Sequence, residues 1–213
     1  MTGFELGHNG LRYFVYTAII EEVDMQESQT RIVEQQLAEA LARFELVLVP
    51  GLYDSGPEHW QSCWQRRFSG WRRVTQRSWN EPDIHRWTDA IKRTLTQCQR
   101  PAVLIGHSLG ALATCSLLDS GTVSVAGAML VAPAEPAKFE LEDHVPCSRL
   151  PVPSVVVASH DDPLMRFDRA EYWAGTWGSR LIDLGEAQHI NAEAGFGPWP
   201  YGLSILSEFI ATL

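Results

Sequence analysis

Several things this chain lacks narrow the choice before any motif is considered. Its 213 residues hold only four cysteines (Cys63, Cys98, Cys115, Cys147), far apart, with no C-x-x-C and no histidine at zinc-finger spacing. That excludes a structural zinc site and a disulfide framework, and it predicts free thiols. Positive charge is scarce: 17 Lys and Arg against 26 Asp and Glu give a formal charge of −9, a poor match for nucleic-acid phosphate. No apolar run approaches the roughly 18 residues of a membrane span. The N-terminal "LRYFVYTAII" is too short for one and lacks a basic leader and a small-residue cleavage site. The expectation is a cytoplasmic protein with no membrane or nucleic-acid partner. Internal repeats and low-complexity segments are also missing.

What remains is one ordinarily globular composition, 45% apolar and 20% charged, at a length suited to one core. The one local excess of cations, "QRRFSGWRR" (Arg66, Arg67, Arg72, Arg73), reads either as a solvated face or as an anion patch. Residues 1–44 stand apart, with seven acids against three arginines. Within them Ile32, Val33, Leu37, Ala40, Leu41 and Phe44 recur at helical spacing. This N-terminal extension is expected to form an amphipathic helix that packs on the domain or on a second copy of the chain, making a homo-oligomer. A weakly ordered extension is the alternative.

Residues 45–213 alternate short aliphatic runs with helical stretches. The runs "ELVLVPG", "WRRVTQ" (Trp71–Gln76), "PAVLIG", "VAGAMLVAP", "PSVVVAS" and "RLIDLG" read as strands. Helices are expected before Phe68, over Pro82–Cys98, from Ser108 to about Leu118, through "MRFDRAEYWAGTW", and from about Pro200 to Thr212. Continuous aliphatic strands between helices imply a mostly parallel sheet of about six strands, covered on both faces.

The third aliphatic run leads straight into Gly106-His107-Ser108-Leu109-Gly110, a G-x-S-x-G pentad, and a small-residue helix leaves it. A glycine-rich turn with a capping serine would show the same five residues. A nucleophilic serine, however, needs this context: a strained strand-to-helix turn that lifts its Oγ above the sheet, flanked by residues without side chains. It also needs a base and an acid, because a hydroxyl is a weak nucleophile at neutral pH. In α/β-hydrolases these follow in the order Ser, acid, His, each beyond a later strand. "VVVAS" ends in His160-Asp161-Asp162-Pro163, and "RLIDLG" is followed by His189. The acid is Asp162 or Asp161, with Asp162 favoured because Pro163 sets a turn at the strand end. His107, inside the pentad, is expected to pack under it.

After the first strand, "VPGLYDSGPEHW" is where a second oxyanion donor belongs. The candidates are the backbone N–H groups of Leu52 and Leu109. Gly51 would permit close approach, and Tyr53, Ser55, His59 and Trp60 are candidate pocket walls, with His107 behind. "FGPWPYG" and the Trp60/Trp64 stretch would either add an aromatic wall or, as tryptophans more often do, serve packing. Asp183, inside a strand, reads as structural.

With these motifs in place the chain resembles the α/β-hydrolase superfamily. More narrowly, it is similar to the small serine hydrolases grouped with retinoblastoma-binding protein 9 and bacterial YdeN-type proteins. "VPGLYDSGPEHWQSCW", "RSWNEPDIHRW", "LIGHSLGALA", "GAMLVAPAEP", "SHDDP" and "GEAQHINAEAGFGPWPYG" carry the resemblance, over about residues 45–213. It implies an α/β-hydrolase fold with little or no lid, a Ser108–His189–Asp162 triad, esterase-like activity on a small-molecule ester, and no metal or organic cofactor. The namesake's retinoblastoma binding is not implied, since no Leu-x-Cys-x-Glu stretch occurs. A silent binding protein on the same fold, or amidase, peptidase, thioesterase or perhydrolase chemistry, are the alternatives.

Overall fold

Four of the aliphatic runs become strands with every residue, or nearly every residue, out of contact with solvent. In the computed structural model, which describes residues 28–213, these are β1 (Glu45–Val49), β3 (Ala102–His107), β4 (Val125–Val131) and β5 (Ser154–Ala158). Two edges complete the sheet, β2 (Arg72–Arg73) and β6 (Arg180–Asp183). The order is β2-β1-β3-β4-β5-β6, and every pairing is parallel. A parallel sheet needs both faces covered, and alternate residues of each strand serve one face or the other. Val47, Val49 and Leu104 pack with Trp87, Ile91, Leu112 and Trp177. Leu46, Leu48, Val103 and Ile105 pack with Leu37, Trp60, Trp64 and Phe209.

The first face is thus covered by α3 (Ile84–Leu95), α4 (Leu109–Asp119) and α5 (Phe167–Trp177). The second carries α1 (residues 28–40), α2 (Trp60–Arg67) and α6 (Pro200–Ile210). This is the α/β-hydrolase architecture.

On α1, Val33, Leu37 and Ala40, followed by Phe44, turn their apolar stripe onto the domain. Gln36 accepts a hydrogen bond from the Ser207 hydroxyl of α6, and Glu34 pairs with Arg67. Residues 1–27 of the expected extension lie outside the described residues.

The strand expected over Trp71–Gln76 has only two residues. Val74 N–H still donates to Leu48 O, and the chain then leaves the sheet. The four arginines do not form an anion patch. Arg67 pairs with Glu34, Arg72 with Glu45, Arg73 with Asp54, and Arg66 meets the Cys63 sulfur.

Between β4 and β5 the chain makes two short 3-10 turns, Pro136–Phe139 and Glu142–His144. Bonds from Arg169 to Glu135, from Lys138 to Pro163 O and from Trp177 to Pro146 O fasten this segment down. No helix among the described residues is long and apolar enough to cross a membrane.

Candidate active site

Parallel strands all end at one edge of the sheet, and the loops after β1, β3, β5 and β6 build the site. Ser108 follows β3 and adopts φ 54°, ψ −121°, a sparsely populated conformation for a residue with a side chain. Its N–H donates to Val131 O at 3.0 Å, which anchors the turn to the next strand. The turn closes only because the flanking residues lack side chains. A Cβ on Gly106 would lie 2.7 Å from Ala111 Cα, and one on Gly110 would lie 2.3 Å from Val49 O.

Asp162 stands in the loop after β5. One of its oxygens accepts the Leu164 N–H at 2.8 Å, an Asx-type turn around Pro163 that fixes the carboxylate. His189 comes from the loop after β6. The Ser108 hydroxyl lies 2.9 Å from His189 Nε2, and His189 Nδ1 lies 3.0 and 2.9 Å from the two Asp162 oxygens. All three residues are buried. The structure therefore brings Ser108, His189 and Asp162 into one hydrogen-bonded chain.

Asp161 points elsewhere. It accepts from the Ser159 hydroxyl and from Gln188 N–H, each at 2.7 Å, and those two bonds hold its carboxyl below the usual carboxylate range. Asp183, at the end of β6, accepts from His160 and from Gly185 N–H.

The His189 loop is unusual in its backbone. Gln188 (φ 48°) and Ile190 (φ 49°) both lie in the left-handed region, an uncommon conformation for a β-branched residue. Side chains from elsewhere in the fold hold it there. Ser159 Oγ accepts Ala187 N–H at 2.9 Å, His107 Nε2–H donates to His189 O at 3.0 Å, and Trp60 Nε1–H donates to Ile190 O at 2.9 Å. Trp64 Nε1–H reaches Pro198 O at 2.7 Å.

This cradle decides between the two readings of the tryptophans in favour of packing. Trp60 is fully buried and cannot face substrate; it packs among Trp64, His107 and Trp199 beneath the loop. Trp199 is turned inward as well, nearly parallel to Trp64. His59 and Ser55 are also buried rather than at the mouth. His59 Nδ1 accepts Gln61 N–H at the start of α2, which leaves the ring proton on Nε2. Burial, then the charges of Arg73 and His189, push its pKa down to about 3. His107, expected under the turn, is found there, and burial drives its pKa well below the ordinary value. Tyr53 does sit at the rim, 71% exposed.

Gly51 packs directly on Ser108: a Cβ there would lie 2.9 Å from Ser108 Cβ and 3.5 Å from Leu109 N. Neither the Leu52 nor the Leu109 amide has an acceptor among the described residues. Two N–H groups without partners beside a strained serine are what an oxyanion requires. Among the described residues no group of three or more His, Cys, Asp or Glu side chains is arranged to hold a metal ion. Sequence reasoning missed Ser159, Gln61 and Arg73, whose contacts depend on the assembled fold.

Residues 46–208 match the family model described as serine hydrolase. A putative YdeN-like hydrolase from Pectobacterium atrosepticum is 54% identical, with 84% of this chain and 97% of that one covered and a TM-score of 0.83. The ydeN gene product of B. subtilis shares the fold at 18% identity, covering 79% of this chain and 99% of its own, TM-score 0.66. Esterase RhEst1 from Rhodococcus sp. does so at 17%, covering 81% and 92%, TM-score 0.59. No curated protein matches the chain.

Proposed function

Because the chain belongs to the serine hydrolase family, of YdeN type within the α/β-hydrolase superfamily, we propose that it cleaves a small acyl ester through an acyl-enzyme on Ser108. One observation carries this reading: the unbroken hydrogen-bond chain from Ser108 Oγ through His189 to Asp162. In this mechanism His189 Nε2 takes the hydroxyl proton as Ser108 Oγ attacks the ester carbonyl. The Asp162 carboxylate accepts a hydrogen bond from His189 Nδ1–H, keeps the imidazole in the reactive tautomer and stabilises the imidazolium.

The Leu52 and Leu109 N–H groups donate to the oxyanion, each contributing about 2.7–4 kcal/mol by analogy with comparable donors. Collapse expels the alcohol, which takes its proton from His189. Water then attacks the acyl-enzyme, giving its proton to His189, and the Ser108 oxygen leaves reprotonated. The helix α4 begins at Leu109, so its N-terminal potential also favours the developing anion. The fastened segment between β4 and β5 supports a small, open acyl site rather than a capped one.

A fluorophosphonate probe tests the nucleophile. Labelling of the folded protein that disappears in Ser108→Ala, together with turnover of p-nitrophenyl acetate or butyrate, is expected. An unlabelled wild-type protein would sink the hydrolase mechanism. Labelling without ester turnover, but with hydrolysis of an anilide or thioester, would replace the substrate class.

A further inference from the structure

We propose that Arg73 is a positioning residue for the oxyanion hole, holding the loop after β1 from beneath so that the Leu52 amide stays against the nucleophile. The inference rests on the hydrolase reading above. Its starting point is the backbone of that loop. Tyr53 (φ 64°) and Asp54 (φ 65°) are consecutive left-handed residues, neither of them glycine. Such a pair is intrinsically unfavourable and persists only where contacts over-determine it. Local bonds supply part of the restraint, from Tyr53 N–H to Trp79 O at 2.8 Å and from Asp54 N–H to Gly51 O at 3.2 Å.

Arg73 supplies the rest. One guanidinium nitrogen donates both to an Asp54 carboxylate oxygen and to Ser55 O, and another donates to Ser62 Oγ at 2.6 Å. Ser62 Oγ donates its own proton to Ser55 O at 2.7 Å. The Ser55 hydroxyl donates in turn to Gln61 Oε1 at 2.6 Å. Gln61 Nε2 then donates to Val49 O and Ile105 O, at 3.2 and 3.0 Å. Those carbonyls stand near the ends of β1 and β3, the strands that lead into the oxyanion loop and into Ser108. A continuous polar path therefore links the loop to the strand that presents the nucleophile. Its members Ser55, Gln61 and Ser62 are buried, and only 11% of the Arg73 side chain is exposed.

The two-residue strand β2 makes this placement possible. Its register sets Arg73 beside Leu48, one residue before the end of β1, and successive side chains of a strand face opposite ways. Arg73 thereby reaches α2 and the loop, while Arg72 turns to Glu45 and Gln97 O. A planar guanidinium reaches several acceptors at fixed angles, which a lysine ammonium does not.

The test measures kcat and KM separately on p-nitrophenyl butyrate, with the affinity for a phenylboronic acid transition-state analogue, for wild type, Arg73→Met, Arg73→Lys and Ser62→Ala. For Arg73→Met, kcat is expected to fall about 10–100-fold, the effect of a displaced catalytic donor, with KM within about twofold. Boronate affinity should fall in parallel with kcat. Arg73→Lys should recover part of the loss. Ser62→Ala removes two hydrogen bonds, from Arg73 and to Ser55 O, but leaves the Arg73–Asp54 pair in place, and it carries the test if Arg73→Met fails to fold. It should show a smaller fall in kcat, about 3–10-fold, at unchanged KM.

Folded variants with wild-type kcat and boronate affinity overturn the proposal. So does a rise in KM at constant kcat, which would make Arg73 a substrate ligand instead. Wild-type protein without turnover or labelling would instead refute the hydrolase reading, so the two failures are distinguishable.

Discussion

The imidazole of His107 donates a hydrogen bond from Nε2 to the main-chain oxygen of His189 at 3.0 Å, so the residue preceding Ser108 holds the backbone of His189. The two rings lie 4.9 Å apart, and the His59 ring packs edge-on against His107 at 4.7 Å. Replacing His107 by Ala leaves the His189 carbonyl buried without its donor, costing about 1–3 kcal/mol of stability. It also frees a loop that holds two left-handed residues. We expect kcat to fall about 10–100-fold, while His107→Gln, whose amide can still donate, keeps more of it. Steady-state kinetics beside urea denaturation separate the two effects; equal activity in Ala and Gln variants would rule out the bond as the cause.

Two histidines whose burial disfavours the protonated ring make stability depend on pH well above the carboxylate range. Burial is the first cause for both, and it holds His59 at about 3 and His107 well below its ordinary value. In the unfolded chain each takes up a proton near pH 6.5, so the unfolded state binds more protons as pH falls below that point. Stability from this source is present above pH 6.5 and lost on acidification. By pH 5 the loss is about 2 kcal/mol for the His59 ring, and His107 adds a loss of the same sign. Stability from urea denaturation measured from pH 7.5 to 5 should fall with a slope that includes about one proton from His59 and a further contribution of the same sign from His107. His59→Asn keeps an acceptor at the helix cap and should remove the His59 share of that slope, leaving the His107 share. A pH-independent midpoint over this window would contradict the assignment.

Asp161 and Asp162 are neighbours in sequence but serve different atoms, one holding the His189 loop and the other the His189 ring. Asp162→Asn alters the partner of Nδ1 and favours the unreactive tautomer, so kcat should drop about 10⁴-fold. Asp161→Asn keeps an oxygen for Ser159 and Gln188, and its loss should stay within about tenfold, since neutral hydrogen bonds replace charged ones. Single-turnover kinetics with a p-nitrophenyl ester checks both; the reverse ranking would exchange the two roles.

What was legible in the sequence follows from how locally each feature is encoded. Ser108, Asp162 and His189 each stand just past an aliphatic run, and chain order alone relates them. The sheet was legible for the same reason, because a run such as Val155, Val156 and Val157 is apolar at every position and needs cover on both faces. Arg73 and Trp60 are different cases. Trp60 meets Ile190 across 130 positions, and Arg73 reaches Asp54 and Ser62 from a neighbouring strand. An arginine beside other arginines and a tryptophan beside a histidine look the same in sequence whether they face solvent, substrate or a buried carbonyl. Register decides between these, and a two-residue edge strand leaves almost no periodic signal of its register.

The helix α1 offers a final test, because its two faces predict opposite outcomes. Leu37 is fully buried among Trp64, Leu206 and other residues of the second core cluster, whereas Ile32 is 47% exposed. If α1 is an integral layer of the domain, Leu37→Ala should cost about 2–5 kcal/mol, the range for a large side chain removed from a packed core. Ile32→Ala should change stability by no more than about 0.5 kcal/mol. Neither residue belongs to the hydrogen-bonded chain at Ser108, so kcat should be unchanged wherever the variant is folded. Urea denaturation of the full-length variants gives the stabilities, and sedimentation gives the mass. A mass that falls on Ile32→Ala would show instead that the outer face of α1 joins two copies of the chain, and a Leu37→Ala variant as stable as wild type would remove α1 from the core.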